Sequence, residues 1–177
     1  MPERKTIFSF NWLALMAVGL MTLAMLQPWW SFQLEGSPQT DVYPYLIDGP
    51  GSEFIGYTRS PQMEILTGVL ILCIVLCLLA GFLSGPASRV LLGVSALFTL
   101  LGTWRLLARL AGVASRFDIP LQGHGRASYS GFAQIPIWTR IQTGTYLAIA
   151  GAAAAILAAL LYTSIRIKVW KEVEKNR

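Results

Sequence analysis

Four apolar stretches, near Trp12–Trp30, Ile65–Leu83, Val90–Gly112 and Tyr146–Ile165, each approach the length that crosses a bilayer. A hydrocarbon core of about 30 Å takes about 20 apolar helical residues. Lipid offers no hydrogen bonds, so only helices and closed barrels satisfy their backbone there. The runs are continuous rather than alternating, which selects helices. Four such spans and their loops use up nearly all of the 177 residues. The expected fold class is therefore an all-α membrane protein. It is a single membrane domain over 1–177, a bundle of four transmembrane helices at about 12–30, 65–83, 90–112 and 146–165. Charged residues make up 13% of the chain, against about 25% in soluble domains.

The net charge of +5 is unevenly spread. Arg4 and Lys5 precede the first stretch, and Arg89 lies in the short turn after the second. The tail 166–177 holds Arg166, Lys168, Lys171, Lys175 and Arg177 against Glu172 and Glu174. The loop 31–62 carries Glu35, Asp41, Asp48 and Glu53 against Arg59. Basic residues stay on the cytoplasmic side. Both termini are thus expected in the cytoplasm, with the loops 31–62 and 114–140 outside. Arg116, Arg126 and Arg140 in the second loop run mildly against this pattern. Such a charge distribution speaks for a membrane surface, not for nucleic acid. The first stretch ends in Gln27-Pro28-Trp29-Trp30 instead of a small-residue cleavage site, so it reads as a retained helix and not a signal peptide.

Trp12, Trp29, Trp30 and Trp170 read as membrane-interface anchors, because indole rings favour the headgroup level. Residues 1–10 form a short cytoplasmic lead. The tail 166–177 reads as a short helix leaving the membrane, with its lysines and Trp170 among the headgroups. The outer loops are too long for simple connectors. Trp30, Phe32 and Leu34 alternate with polar residues, and 53–58 is a further extended candidate. Gly123-His124-Gly125 reads as a turn and Ala127–Ile135 as a strand. A small extracytoplasmic cap with short β-strands is expected. Ser84-Gly85-Pro86 is a tight turn that makes spans two and three an antiparallel hairpin. The fourth span is rich in small residues. Ala148, Gly151, Ala152, Ala155 and Ala159 are its expected packing face, since small side chains let helices approach closely in lipid. Leu20–Leu23 resembles Leu97–Leu100, and Glu64–Gly68 resembles Arg140–Gly144 at nearly the same offset. Two such matches are what a duplicated helix–loop–helix unit would leave, or a coincidence of short stretches of common residues.

Charges within spans are the candidate site. Arg105 and Arg109 lie one turn apart on one face of the third span, about 23 Å from its start. An ionisable group at that depth is expensive and needs a partner. Glu64 at the head of the second span is the expected partner, and Arg140 at the head of the fourth is a further charge at that level. The four form either an interhelix ion pair or a site for an anionic lipid or solute, for which the guanidinium fork is suited. Cys73 and Cys77 share a face inside the second span and read as packing residues. The lone His124 has no paired acid or nucleophile near it in sequence. No catalytic constellation, metal-ligand cluster or cofactor motif is legible, so no catalytic residue, metal or cofactor is expected.

The plan has termini inside, a longer first outer loop with a tryptophan near its start, and a shorter second loop. It resembles the claudin and peripheral-myelin-type four-span proteins in topology. The claudin signature has further tryptophans and a cysteine pair in the first loop. This chain has neither after Trp30, so no family residue or role is carried over. The functional expectation is a non-enzymatic integral membrane protein. It would act as a structural or accessory subunit, or an interaction protein, with the bilayer and other membrane subunits or its own copies as partners. The alternative is a small oligomeric binding or transport protein for an anionic lipid or solute that uses the span arginines.

Overall fold

The computed structural model describes residues 5–55, 58–83, 85–116, 118–129, 133–161 and 164–169. In chain order its elements are β1 (Lys5–Asn11), α1 (Trp12–Leu26), β2 (Trp30–Leu34), β3 (Thr40–Val42), β4 (Ile47–Asp48) and α2 (Gly51–Ile55). They continue with α3 (Pro61–Phe82), α4 (Pro86–Arg116), β5 (Gly123–Tyr129), β6 (Ala133–Ile141), α5 (Thr143–Leu161) and β7 (Ser164–Val169). The chain is mostly helical, and α3, α4 and α5 are each long and apolar enough to cross a membrane.

The four longer helices pack as a ring: α1 on α3 and α5, and α4 on α3 and α5. Small and hydroxyl side chains make this possible. The inner core joins Ala14, Ala17, Cys73, Cys77, Ala96, Ala152 and Ala155 with a few large residues such as Met21 and Leu92. Ser88 Oγ donates to Ala80 O at 2.8 Å, and Ser95 Oγ donates to Cys73 O at 3.0 Å, across the α3–α4 seam. Thr99 and Thr103 bond back to Ser95 O and Thr99 O. Every one of these buried hydroxyls thus has an acceptor, as a low-dielectric interior requires. Outward, the helices present Leu23, Leu72, Leu79, Leu97 and Leu160 to the surroundings. Within the apolar windows of α3 and α4 only 33% of residues are buried in the protein, and 44% in α5. A bare apolar surface of that extent suits lipid, not water.

The helix expected over 12–30 stops at Leu26. Gln27 is extended (φ −103°, ψ 148°), because the residue before a proline avoids the helical region and Pro28 has no N–H to donate. The two tryptophans that follow turn into the protein. Trp29 is fully buried, its Nε1 donating to Ala24 O at 2.7 Å, and Trp30 Nε1 donates to Leu121 O at 2.8 Å. Trp12, by contrast, is exposed at the start of α1, and Trp170 lies outside the described residues.

Each end of the ring carries a sheet. At one end five antiparallel strands run in the order β4-β3-β2-β6-β5. Thus both loops contribute to one sheet, as expected from the alternation after Trp30. Three details differ from the sequence reading. Gly123–Gly125 lies within β5 rather than forming the turn; Ala127–Ile135 is divided between β5 and β6, which pair with Tyr129 opposite Ala133; and Gly51–Ile55 is helical where the sequence suggests an extended segment over 53–58, of which 56 and 57 lie outside the described residues. Gly49 (φ +119°) followed by Pro50 turns the chain there, and the Gly51 N–H is held by Thr40 Oγ1 at 2.8 Å. At the other end β1 and β7 pair antiparallel, Lys5 opposite Val169 and Asn11 opposite Ser164. The lead 1–10 and the tail helix expected from 166 are therefore corrected to a strand pair over their described parts. The Ser164–Val169 segment alternates polar and apolar residues with β-branched side chains, which is a strand pattern.

Candidate functional site

Arg105 and Arg109 are set by the antiparallel packing of α4 on α3. A Cβ placed on Gly102 would lie 2.9 Å from Leu66 Cδ1, and Arg109 Nη1 donates to Gln62 Oε1. Residues 102–109 thus run beside 66–62, and both arginines stand at the first turn of α3. That depth is the end of the apolar run, where a guanidinium reaches the polar layer along its apolar stem. α4 is 31 residues long, about 46 Å at 1.5 Å per residue. Its last two turns run past the first turn of α3 and carry Leu110 and Ala114 into the core beneath the sheet, with Trp30, Val42 and Ile119.

Between α3 and α4 lies a groove of about 530 Å³. Ile65, Leu66, Val69, Phe98 and Leu101 form its apolar trough, and Ser60, Gln62, Arg105 and Arg109 line its polar end. Arg105 is exposed and Arg109 is half-buried. Ser60 sits at the N-cap of α3 but makes no capping hydrogen bond. Its hydroxyl is buried with no partner among the described residues.

The structure brings Arg105 and Arg109 together and places Glu64 on the same first turn of α3, exposed and outside the groove lining. Arg109 donates a hydrogen bond to Gln62 on that turn. Arg140 lies elsewhere: it belongs to β6, opposite Ser31, and is exposed on the sheet. It is separated from the span arginines because the chain stays extended to Ile141 and α5 starts only at Thr143. Ala148, Gly151, Ala152 and Ala155 are buried in the ring and Ala159 is half-buried. At Gly151 an added Cβ would come 2.8 Å from Met21 Cγ, so α1 and α5 approach closely there.

The sheet is two-faced. Trp30, Phe32, Ile137 and Thr139 face the core, while Trp138 and Arg140 alternate outward. Register places Gln33, Trp138 and His124 abreast on three neighbouring strands. Trp138 is 39% exposed, and its ring meets His124 edge-on at 6.0 Å. Sequence reasoning missed Ser60, Gln62 and Trp138. Period-two alternation through Ile137-Trp138-Thr139-Arg140-Ile141 could have found Trp138. Nothing short of the α3–α4 register could have found Gln62.

No protein-family model matches the chain, and no curated protein matches it significantly.

Proposed function

We propose that the chain is a four-span membrane protein, with both termini and the Arg89 turn cytoplasmic, and that it serves as a non-enzymatic accessory or interaction subunit of a larger membrane assembly. The fourth span would be α1. Its 15 residues are short, but its ends are flush with those of α5. Asn11 Nδ2 donates to Ala158 O, and Thr145 Oγ1 donates to Trp29 O. The chain from Asn11 to Trp29 therefore runs beside α5 from Ala158 to Thr145, reaching to within a turn of each end of that helix. In sequence, the two terminal segments and the turn between α3 and α4 hold Arg4, Lys5, Arg89, Arg166, Lys168, Lys171, Lys175 and Arg177, against Arg59, Arg116, Arg126 and Arg140 in the loops 31–62 and 114–140. That asymmetry supports the orientation.

The observation that carries the interaction reading is Trp138. A large aromatic standing outward from a sheet, with an imidazole and an amide abreast of it, has the composition of an interface centre. The test is native mass spectrometry of the intact assembly from mild detergent, with and without Trp138→Ala. A stoichiometric partner or second copy that the substitution releases supports the reading. A lone chain, or a partner held equally by the variant, sinks it. The second reading, binding of an anionic ligand, is favoured by the α3–α4 groove.

A further inference from the structure

We infer that the α3–α4 groove binds a phospholipid with an anionic headgroup, taken from the leaflet nearest the five-stranded sheet. The inference uses the membrane assignment but not the orientation or the partner proposed above. Three independent features converge. First, the trough opens sideways. Ile65 is 67% exposed, and Phe98 and Leu101 are about half exposed, so its walls are continuous with the apolar exterior and an acyl chain can lie in it without crossing water. Second, the cations stand at one end only. Arg105 and Arg109 are one helical turn apart beside the N-terminus of α3, where the helix dipole also favours an anion. Third, Ser60 is 8% exposed and lines the same end. It occupies the position of a helix cap without capping, and its hydroxyl lacks a partner among the described residues. A buried hydroxyl left unpaired costs free energy. A phosphate or ester oxygen at this end of the groove would accept its proton.

Trp104 supports the placement of the headgroup. It is 72% exposed, adjacent to Arg105, and indoles facing out of a membrane protein sit at the headgroup level. A free phosphate would satisfy the cations but leave the trough unexplained. A neutral lipid would fill the trough and leave Arg105 without a counter-charge. Only an anionic amphiphile answers both ends.

The test uses the full chain in nanodiscs of phosphatidylcholine with a minor fraction of phosphatidylglycerol, released into native mass spectrometry. Retention of phosphatidylglycerol in preference to phosphatidylcholine is expected. Arg105→Gln should lower it about tenfold or more, in line with loss of a charge-assisted hydrogen bond. Leu101→Trp, at a half-exposed position with room outward for the larger ring, should block the trough and lower retention of the same lipid with the charges intact. Arg140→Gln, on the sheet, should leave it unchanged. Equal retention of the two lipids overturns the inference, as does full retention in both groove variants. Displacement of phosphatidylglycerol by inorganic phosphate also overturns it, by reducing the site to one for a free anion.

Discussion

Gly144, in the first turn of α5, lies directly against Trp29. A methyl group on Gly144 would meet the indole Cδ1, and would come 2.6 Å from Gln27 O and 2.7 Å from Pro28 O. The Gly144 N–H already donates to Pro28 O at 2.9 Å. The end of α1 and the start of α5 are thus locked backbone to backbone, with no flexible side chain to give way. Gly144→Ala should destabilise the protein by about 1–3 kcal/mol, the cost of overpacking a tight core. Gly19 on α1 has nothing within 4 Å, so Gly19→Ala should be neutral or stabilising by up to about 1 kcal/mol. Thermal melts of the two variants in one detergent check this; equal shifts would refute the packing argument.

Asn11 has two tasks at the opposite end. Its Oδ1 accepts from Leu13 N and Ala14 N, capping α1, and its Nδ2 donates to Ala158 O at 3.2 Å, tying α1 to α5. Asn11→Ala should cost about 2 kcal/mol, the sum of a cap and a buried hydrogen bond. Asn11→Asp separates the tasks. Aspartate is as good a cap as asparagine, but it presents a carboxylate oxygen to the Ala158 carbonyl. If capping were the whole role, Asn11→Asp would melt like the parent; the structure requires that it melt lower.

Trp29 and Trp12 should respond differently to truncation. Trp29→Ala removes a fully buried indole and its bond to Ala24 O, and should cost about 3–5 kcal/mol. Trp12→Ala removes an exposed ring and should cost far less in detergent. Comparable losses would contradict the burial of Trp29.

Tyr43 provides a pH test. Burial pushes its hydroxyl above the ordinary value of 10.0, and Asp41, Tyr45 and Asp48 add to the rise. The folded state therefore holds the phenolic proton more tightly than the unfolded state. Its contribution to stability is fully present below the ordinary value and is lost as pH rises through the raised one. An alkaline absorbance titration compared with Tyr43→Phe should show the missing tyrosine as a late-titrating one. Asp41→Asn should bring it part of the way back.

The proposed orientation is testable by thiol labelling, because Cys73 and Cys77 are both buried and give little background. Pro38→Cys, exposed on the loop between β2 and β3, should react with an impermeant reagent applied to intact cells. Ala87→Cys, exposed at the start of α4, should react only after the membrane is opened. The reverse pattern would invert the orientation.

Much of the fold was legible in the sequence. Runs such as Ile65–Leu83 and Val90–Gly112 announce apolar helices regardless of context, and Gly85-Pro86 separates them without ambiguity. The limits of α1 were less legible, because Trp29 and Trp30 are apolar in sequence whether they meet lipid or protein. What distinguishes them is an acceptor for each indole, and those come from Ala24 and from Leu121, 91 residues away from Trp30. The terminal strand pair was missed for a different reason. The alternation in Ser164–Val169 is visible, but its partner Lys5–Asn11 lies at the other end of the chain. In the candidate site, helical spacing alone puts Arg105 and Arg109 on one face. Their place along the helix could not be read from a starting point near Val90, because α4 begins at Pro86 and runs on to Arg116, past the first turn of α3. Arg140 was grouped with them because Arg140–Gly144 looks like the head of a helix, whereas the ladder with β2 keeps Arg140 and Ile141 extended.

The pairing of β1 with β7 has a topological consequence. Lys5 lies opposite Val169, and the helices meet in the cyclic order α1, α3, α4, α5 and back to α1. With β1 and β7, the outermost strands among the described residues, side by side, these elements follow a closed circuit that is cut between the two. A circular permutant that joins the two ends and opens the peptide at the Gly85 turn would keep every helix contact, and would move only the point at which synthesis begins. The ring's stability should therefore be nearly indifferent to where the polypeptide starts, while the order in which its helices enter the bilayer would change completely.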